Sequence, residues 1–244
     1  MKGLYQLADK KIFIDSLYSE VHTCCADYRA EGLADIDVEI AQKDIDFERE
    51  KSAREDEIEG IPVRHFSDAY LETLAVYRKI AEQMTYCDTF LFHGSAISVD
   101  NECYLFTAKS GTGKSTHASL WRKLLGGHAV MVNDDKPLIR AAEDGAVVYG
   151  TPWDGKHHLS SIIAVPLKAI CILERAEENR IVPITKQEAF PMLIRQAYRP
   201  ADPVAMEKTL TLIDRLNVSF YRLSCNMNIS AAELSYNTMK GRNI

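Results

Sequence analysis

The sequence predicts an α/β fold, in which a mixed, hairpin-containing central sheet follows a small acidic α+β N-terminal region. Three observations carry this reading. A β-rich hairpin runs directly into a glycine loop and then a helix across residues 102–125. Apolar strand runs alternate with amphipathic helices through the last third of the chain. Charge is divided unevenly: residues 1–60 hold 8 Lys+Arg against 16 Asp+Glu, net −8, whereas the remainder holds 21 against 19, net +2. The chain is therefore read as an N-terminal region over 1–85 and a larger domain over 86–244.

Composition bounds the rest. With 244 residues, 46% of them hydrophobic and 26% charged, the chain can bury a real core and is neither disordered nor fibrous. A net charge of −6 argues against a broad nucleic-acid or anionic-membrane footprint and leaves room for a local anion site. No stretch approaches 18 consecutive apolar residues and the N-terminus has no signal-peptide pattern, so the cytoplasm is the default location. The six cysteines are scattered without a C-x-x-C pair and read as reduced, mostly buried thiols. Cys24 and Cys25 make a poor metal pair because neighbours on a helix point about 100° apart.

Taken in order, Lys11 to Ile14 and Asp37 to Ala41 read as short strands, with a helix from Leu17 to Arg29 closed near Gly32. The acidic run from Glu48 to Glu59 reads as a solvated helix face or linker and marks a boundary. Apolar residues at helical spacing from Ala69 to Met84 predict a core-packing helix capped by Ser67. Thr89 to Ser98 and Glu102 to Thr107, joined through Asp100-Asn101, predict an antiparallel hairpin. Further strands are expected at 128–132, 138–140, 146–149, 169–173, 181–182 and 219–223, with helices at 187–197 and 204–216 and from Ser230 onward.

The second hairpin strand runs into Ala108-Lys109-Ser110-Gly111-Thr112-Gly113-Lys114-Ser115-Thr116, and a helix follows until Gly126-Gly127. Strand, glycine loop, Gly-Lys-Ser and helix is the context in which backbone N–H groups and a helix N-terminus cradle phosphates. Lys114 is placed to reach the β/γ-phosphates and Ser115 to ligate Mg²⁺. Ala108 stands where the general pattern has its first glycine. Twenty residues after Lys114, a buried-strand pattern ends in Asn133-Asp134-Asp135. Carboxylates there suit Mg²⁺ binding and proton transfer, or else simply form the turn into the next strand. The loop from Gly150 through Trp153 to His158 reads as a lid or substrate element.

Several residues keep two readings. His93 is either a satisfied core histidine or part of the site; His117 either neighbours phosphate or faces solvent. His157-His158 would bind metal only if other ligands converged, since neighbours on an extended segment face opposite sides. Trp153 either stacks on a ligand or latches the loop. Arg195 and Arg199, four apart, share one face of a helix end and either reach a transferred phosphate or pair at the surface.

His93-Gly94 on one hairpin strand, Ser110 to Ser115 after the other, and the strand ending in Asp134-Asp135 together resemble the catalytic domain of the HPr kinase/phosphorylase family. The resemblance is specific over about residues 89–140, extends through the 150–155 loop and does not cover residues 1–85. It implies a phosphoenolpyruvate-carboxykinase-like nucleotide-binding fold that binds ATP and Mg²⁺, and a tendency to homo-oligomerise. By the same resemblance ATP phosphates fall to Ser110, Gly111, Thr112, Gly113, Lys114, Ser115 and Thr116, and metal to Ser115 and Asp134. The base role falls to Asp135, with His93 assisting. Two departures set this chain apart: Thr116 stands where HPr kinases usually have Glu, and Gly-Thr-Pro-Trp-Asp-Gly at 150–155 replaces their Gly-rich signature segment. The activity expected is an ATP- and Mg²⁺-dependent kinase acting on a hydroxyl, serine of a protein or peptide first. The alternatives are a small-metabolite kinase, for example of free serine, and a non-catalytic ATP-binding regulatory module.

Overall fold

The structure is a computed structural model and describes residues 1–155 and 157–241. Lys156, within the loop singled out above, and residues 242–244 lie outside the described residues. The chain divides into two compact units, Met1–Met84 and Thr85 onward. Among the described residues no helix is long and apolar enough to cross a membrane.

In the first unit, β1 (Lys2–Leu7) and β2 (Lys10–Asp15) form an antiparallel hairpin whose turn residues Ala8 and Asp9 both take positive φ. The chain continues through α1 (Glu20–Cys24) to β3 (Ile36–Glu39), which pairs parallel to β2, and then α2 (Gln42–Glu59) and α3 (Asp68–Met84). Strand β1 was not anticipated, and the helix expected over Leu17 to Arg29 shrinks to α1. Buried Glu72 explains the first loss: its carboxylate accepts the backbone N–H groups of Leu17 (2.6 Å) and Tyr18 (2.9 Å), holding them out of a helix. At the other end Ala30 N–H donates to Leu4 O, which draws the chain onto the edge of β1.

The acidic run 48–59 is helical, as one of its readings had it, but not wholly solvated. Glu48 and Asp56 are buried, the first against Arg78 (2.5 Å) and the second against Arg64. The cysteines divide: Cys25, Cys103 and Cys171 are buried, Cys24 is exposed, and Cys87 and Cys225 are half-buried.

The second unit opens with β4 (Thr89–Leu91), β5 (Ser95–Val99) and β6 (Glu102–Thr107), followed by α4 (Lys114–Leu125), β7 (Ala129–Asn133), β8 (Leu138–Ala142) and β9 (Gly145–Tyr149). It is completed by β10 (Ala164–Arg175), β11 (Arg180–Ile184), α5 (Lys186–Gln196), α6 (Pro203–Arg215), β12 (Ser219–Cys225) and α7 (Ile229–Met239). The sheet runs β4-β8-β9-β10-β6-β5-β7. Long β10 holds it together: residues 164–166 pair antiparallel with β9, whereas its later part pairs parallel with both β6 and β12. β12 in turn pairs antiparallel with β11.

Both faces of the central strands are buried, which is why they read as continuous apolar runs. Along β6, Cys103 and Leu105 face one cluster with Leu193 and Ile213 of α5 and α6, while Tyr104 and Phe106 face another with Trp121 of α4 and Ala232 of α7. The run Thr89 to Ser98 is two strands rather than one. Phe92, His93 and Gly94 leave the ladder and donate their N–H groups to Pro137 O, Gln196 O and Asp135 O. β4 therefore pairs with β8, whereas β5 pairs with β6 and β7. The expected β5–β6 hairpin is present, with Asp100 and Asn101 at φ of 51° and 65°.

Candidate functional site

The glycine loop joins the C-terminal end of β6 to the N-terminus of α4. Gly111 and Gly113 take φ of +74° and +121°, a region closed to most side chains, so the loop needs glycine at both positions. Ala108 is buried with an ordinary φ, which is why alanine serves at the first position. Thr112 N–H donates to Lys109 O (3.2 Å), and Gly113 O accepts the first helical bond, from His117 N–H (2.9 Å). From the end of β10, Arg175 donates to Thr112 O (Nε, 3.2 Å) and to Gly111 O. Because a trans peptide sets C=O and N–H on opposite sides, turning Thr112 O toward Arg175 aims the Gly113 N–H the other way.

Helix α4 is anchored from beneath. Trp121 lies between the rings of Tyr104, Phe106 and Tyr236 at centroid distances of 5.0–5.4 Å. Its Nε1–H donates to Ser235 Oγ (2.8 Å), which also meets His117 Nε2 (3.0 Å) while donating its own hydrogen to Ala232 O. Burial pushes His117 down to about 4, so this imidazole is neutral and belongs to the helix anchor. The expectation that it faces solvent does not hold.

Lys114 is buried at the first turn of α4. Burial lowers its pKa against the opposing pull of the Asp135 and Asp134 carboxylates. The two aspartates occupy different environments. Asp134 is buried; its Oδ1 accepts from Ser95 Oγ (2.8 Å), and Ser115 is a second side-chain hydrogen-bond partner. Burial dominates there and raises its pKa. For Asp135 burial acts in the same direction but is outweighed by the hydrogen bond from His93, with Lys136, His93 and Lys114 adding positive charge. Its carboxyl is thus held below the usual value, with His93 Nε2 at 3.1 Å from Oδ1.

The backbone beneath the pair is fixed by Asn133. Its Oδ1 accepts from the N–H groups of Asp135 (2.9 Å) and Lys136 (2.6 Å), and its Nδ2 donates to Thr151 O (3.0 Å). Thr151 Oγ1 donates in turn to Lys136 O (2.8 Å). The 150–155 segment therefore buttresses the aspartates. Gly155, at φ +75°, passes so close that an added Cβ would lie 3.2 Å from Asp135 Cβ.

The structure thus brings together Lys114, Ser115, Asp134, Asp135 and His93, with Ser110 to Gly113 in the loop and Thr116 on the helix behind it. Of the others, His157 lines a cleft with Ser115 and Asp134 and acts electrostatically on Asp134. Arg199 lies beyond the end of α5, where Ala197 is extended, so Arg195 and Arg199 share no helix face. His158 Nδ1 meets Asp154 (3.2 Å), which also accepts from Ser160 Oγ. Among the described residues no group of three or more His, Cys, Asp or Glu side chains could hold a metal ion by itself. Mg²⁺ at Ser115 and Asp134 would need phosphate oxygens and water to complete its shell, as this ion commonly does. Sequence reasoning missed Ser95, Arg175 and Thr151. Ser95 follows His93-Gly94 directly and Thr151 lies in the loop already singled out, but nothing near Arg175 in the sequence signals its contact with the loop.

Fold and site together define a mixed α/β protein with a phosphate-type glycine loop facing a pair of aspartates. No family model matches the chain, and no curated protein matches it. Among solved structures it is similar to the HPr(Ser) kinase/phosphatase from Coxiella burnetii, a distant structural relationship at 10% identity. That match has a TM-score of 0.34 and covers 62% of this chain and 99% of the other.

Proposed function

We propose that this protein is a Mg²⁺- and ATP-dependent kinase of the HPr-kinase-like type, transferring the γ-phosphate to a hydroxyl, serine of a protein or peptide first. The observation that carries the reading is the separation of two adjacent carboxylates by environment. Asp134 is buried with a raised pKa beside Ser115, while Asp135 is held ionised beside His93 and within the field of Lys114. Neighbouring acids with divided pKa values are the usual mark of divided roles. A nucleotide-binding module without chemistry needs the loop and a metal ligand but no second, charge-stabilised carboxylate.

The loop N–H groups, the α4 N-terminus and Lys114 bind and orient the phosphates. A divalent cation at Ser115 and Asp134 would supply charge neutralisation between the phosphoryl oxygens. Asp135 takes the proton of the acceptor hydroxyl, whose oxygen bonds to the γ-phosphorus as the bond to the β–γ bridging oxygen breaks and ADP departs. His93 holds Oδ1 of Asp135, so Oδ2 is the oxygen assigned to take the proton. General-base help of this kind is worth about 10²–10⁴-fold.

The test is label transfer from γ-labelled ATP with Mg²⁺ to lysate proteins, serine peptides and free serine. Label on a hydroxyl of a protein or peptide, absent with Lys114→Ala, is expected. Label on free serine alone would move the acceptor to a small metabolite. No transfer to any acceptor, with Lys114-dependent ATP binding intact, would overturn the kinase reading in favour of a regulatory module.

A further inference from the structure

A cleft of about 340 Å³ adjoins the glycine loop on the side away from the aspartates, with walls that include Leu120, Leu173, Ala176 and Met227. We propose that this cleft holds the nucleoside of the nucleotide whose phosphates the loop takes, and that it accepts purine bases with little discrimination between them. The proposal rests on the function proposed above.

Topology places the cleft. β6, β10 and β12 run parallel, so Thr107, Arg175 and Cys225 end at one edge of the sheet, the position where open α/β sheets bind ligands. Asp134 approaches the loop from the opposite side of β6, through β5 and β7. A phosphate chain lying across the loop therefore has its γ end toward the aspartates and its sugar and base toward the ends of β10 and β12. Thr112, Gly113 and Thr116 line both the loop and the cleft, so the two are continuous. The size falls within the range of small-ligand pockets.

Its walls explain the expected lack of discrimination. Leu120 and Leu173 offer apolar surface, and Met227, 77% exposed at the cleft, is a flexible apolar side chain otherwise spent on water. Beyond the loop, the cleft's polar side chains are committed elsewhere. Arg175 holds the carbonyls of Gly111 and Thr112. Asn226 Nδ2 donates to Glu177 O (2.7 Å) and its Oδ1 accepts from Asn228 N–H (3.0 Å). His117 Nε2 is bound to Ser235 and its Nδ1 is shut off from solvent, so neither ring nitrogen is open to a base in the cleft. A site that hydrogen-bonds its ligand rejects analogues by about 10⁴–10⁵, whereas apolar walls discriminate only weakly. A second cleft of about 570 Å³ lies on the aspartate side, where Ser115, Ser119, Arg122, Asp134 and His157 make it polar and suit it to phosphate, metal or acceptor.

The test measures dissociation constants for ATP, GTP and tripolyphosphate with Mg²⁺ in wild type, Ala176→Trp, Met227→Ala, Ser119→Trp and Lys114→Ala. ATP and GTP are expected within about tenfold of each other, both at least about tenfold tighter than tripolyphosphate. Ala176→Trp, which fills the cleft, should abolish that advantage and leave tripolyphosphate binding unchanged, the unchanged value also showing that the variant is folded. Met227→Ala should reduce the advantage, and Ser119→Trp in the other cleft should retain it. More than tenfold selectivity between ATP and GTP, an advantage that survives Ala176→Trp and Met227→Ala, or one lost in Ser119→Trp would overturn the proposal with the loop reading intact. If tripolyphosphate and both nucleotides bind Lys114→Ala as well as wild type, the loop reading itself fails and the base site with it.

Discussion

Gly155→Ala should slow phosphoryl transfer with little effect on nucleotide affinity. Gly155 has φ of +75°, which costs an L-residue roughly 1–2 kcal/mol. The added methyl would stand 3.2 Å from Asp135 Cβ and 3.7 Å from its Cγ, so the aspartate must yield by a few tenths of an ångström. If a misplacement of about 1 Å costs on the order of 10²-fold in rate, that movement should cost about 3–10-fold in kcat. The control is Gly60→Ala, since Gly60 has a similar φ of +70° and nothing within 4 Å of an added Cβ. Both variants should lower the melting temperature, by roughly 2–4 °C per kcal/mol for a chain of this size, as read by calorimetry. Only Gly155→Ala should lower kcat in a steady-state assay with saturating ATP. A normal kcat in Gly155→Ala, or an equal loss in Gly60→Ala, would refute the idea that the 150–155 loop sets the position of Asp135.

Other consequences follow from the same groups. Because the raised pKa of Asp134 means that ionising it costs stability as pH rises through its folded value, Asp134→Asn should stabilise the ligand-free protein at pH 7 by about 0.5–2 kcal/mol in denaturant titration, while weakening Mg²⁺-ATP binding. Asp135 is held below the usual carboxylate pKa chiefly by His93, so the acid limb of kcat at saturating Mg²⁺-ATP, where the bound metal keeps Asp134 ionised, should lie below that range and move upward in His93→Phe, as a pH–rate series reads directly. In the first unit, Glu72→Gln leaves one of the Leu17 and Tyr18 N–H groups without its acceptor and should cost about 1–3 kcal/mol in chemical denaturation.

Much of the larger unit was legible because its signals are local. The β5–β6 hairpin, the glycine loop and α4 follow one another in sequence, and the continuous apolar runs of β6 and β10 mark strands buried on both faces. What escaped depends on partners far along the chain. The break at 92–94, which carries His93 to Asp135, is made by acceptors at Pro137, Gln196 and Asp135, and no run of apolar residues announces it. The helix expected at Leu17 to Arg29 was lost to a carboxylate 54–55 residues away. Arg175 reaches the loop only because β10 and β6 are neighbours, a pairing invisible to local pattern.

The most direct test of the central claim separates binding from chemistry in Asp135→Asn, with Kd for Mg²⁺-ATP and the single-turnover rate of transfer measured on the same preparation. The account predicts a Kd within about threefold of wild type and a rate reduced about 10²–10⁴-fold. An unchanged transfer rate would contradict it.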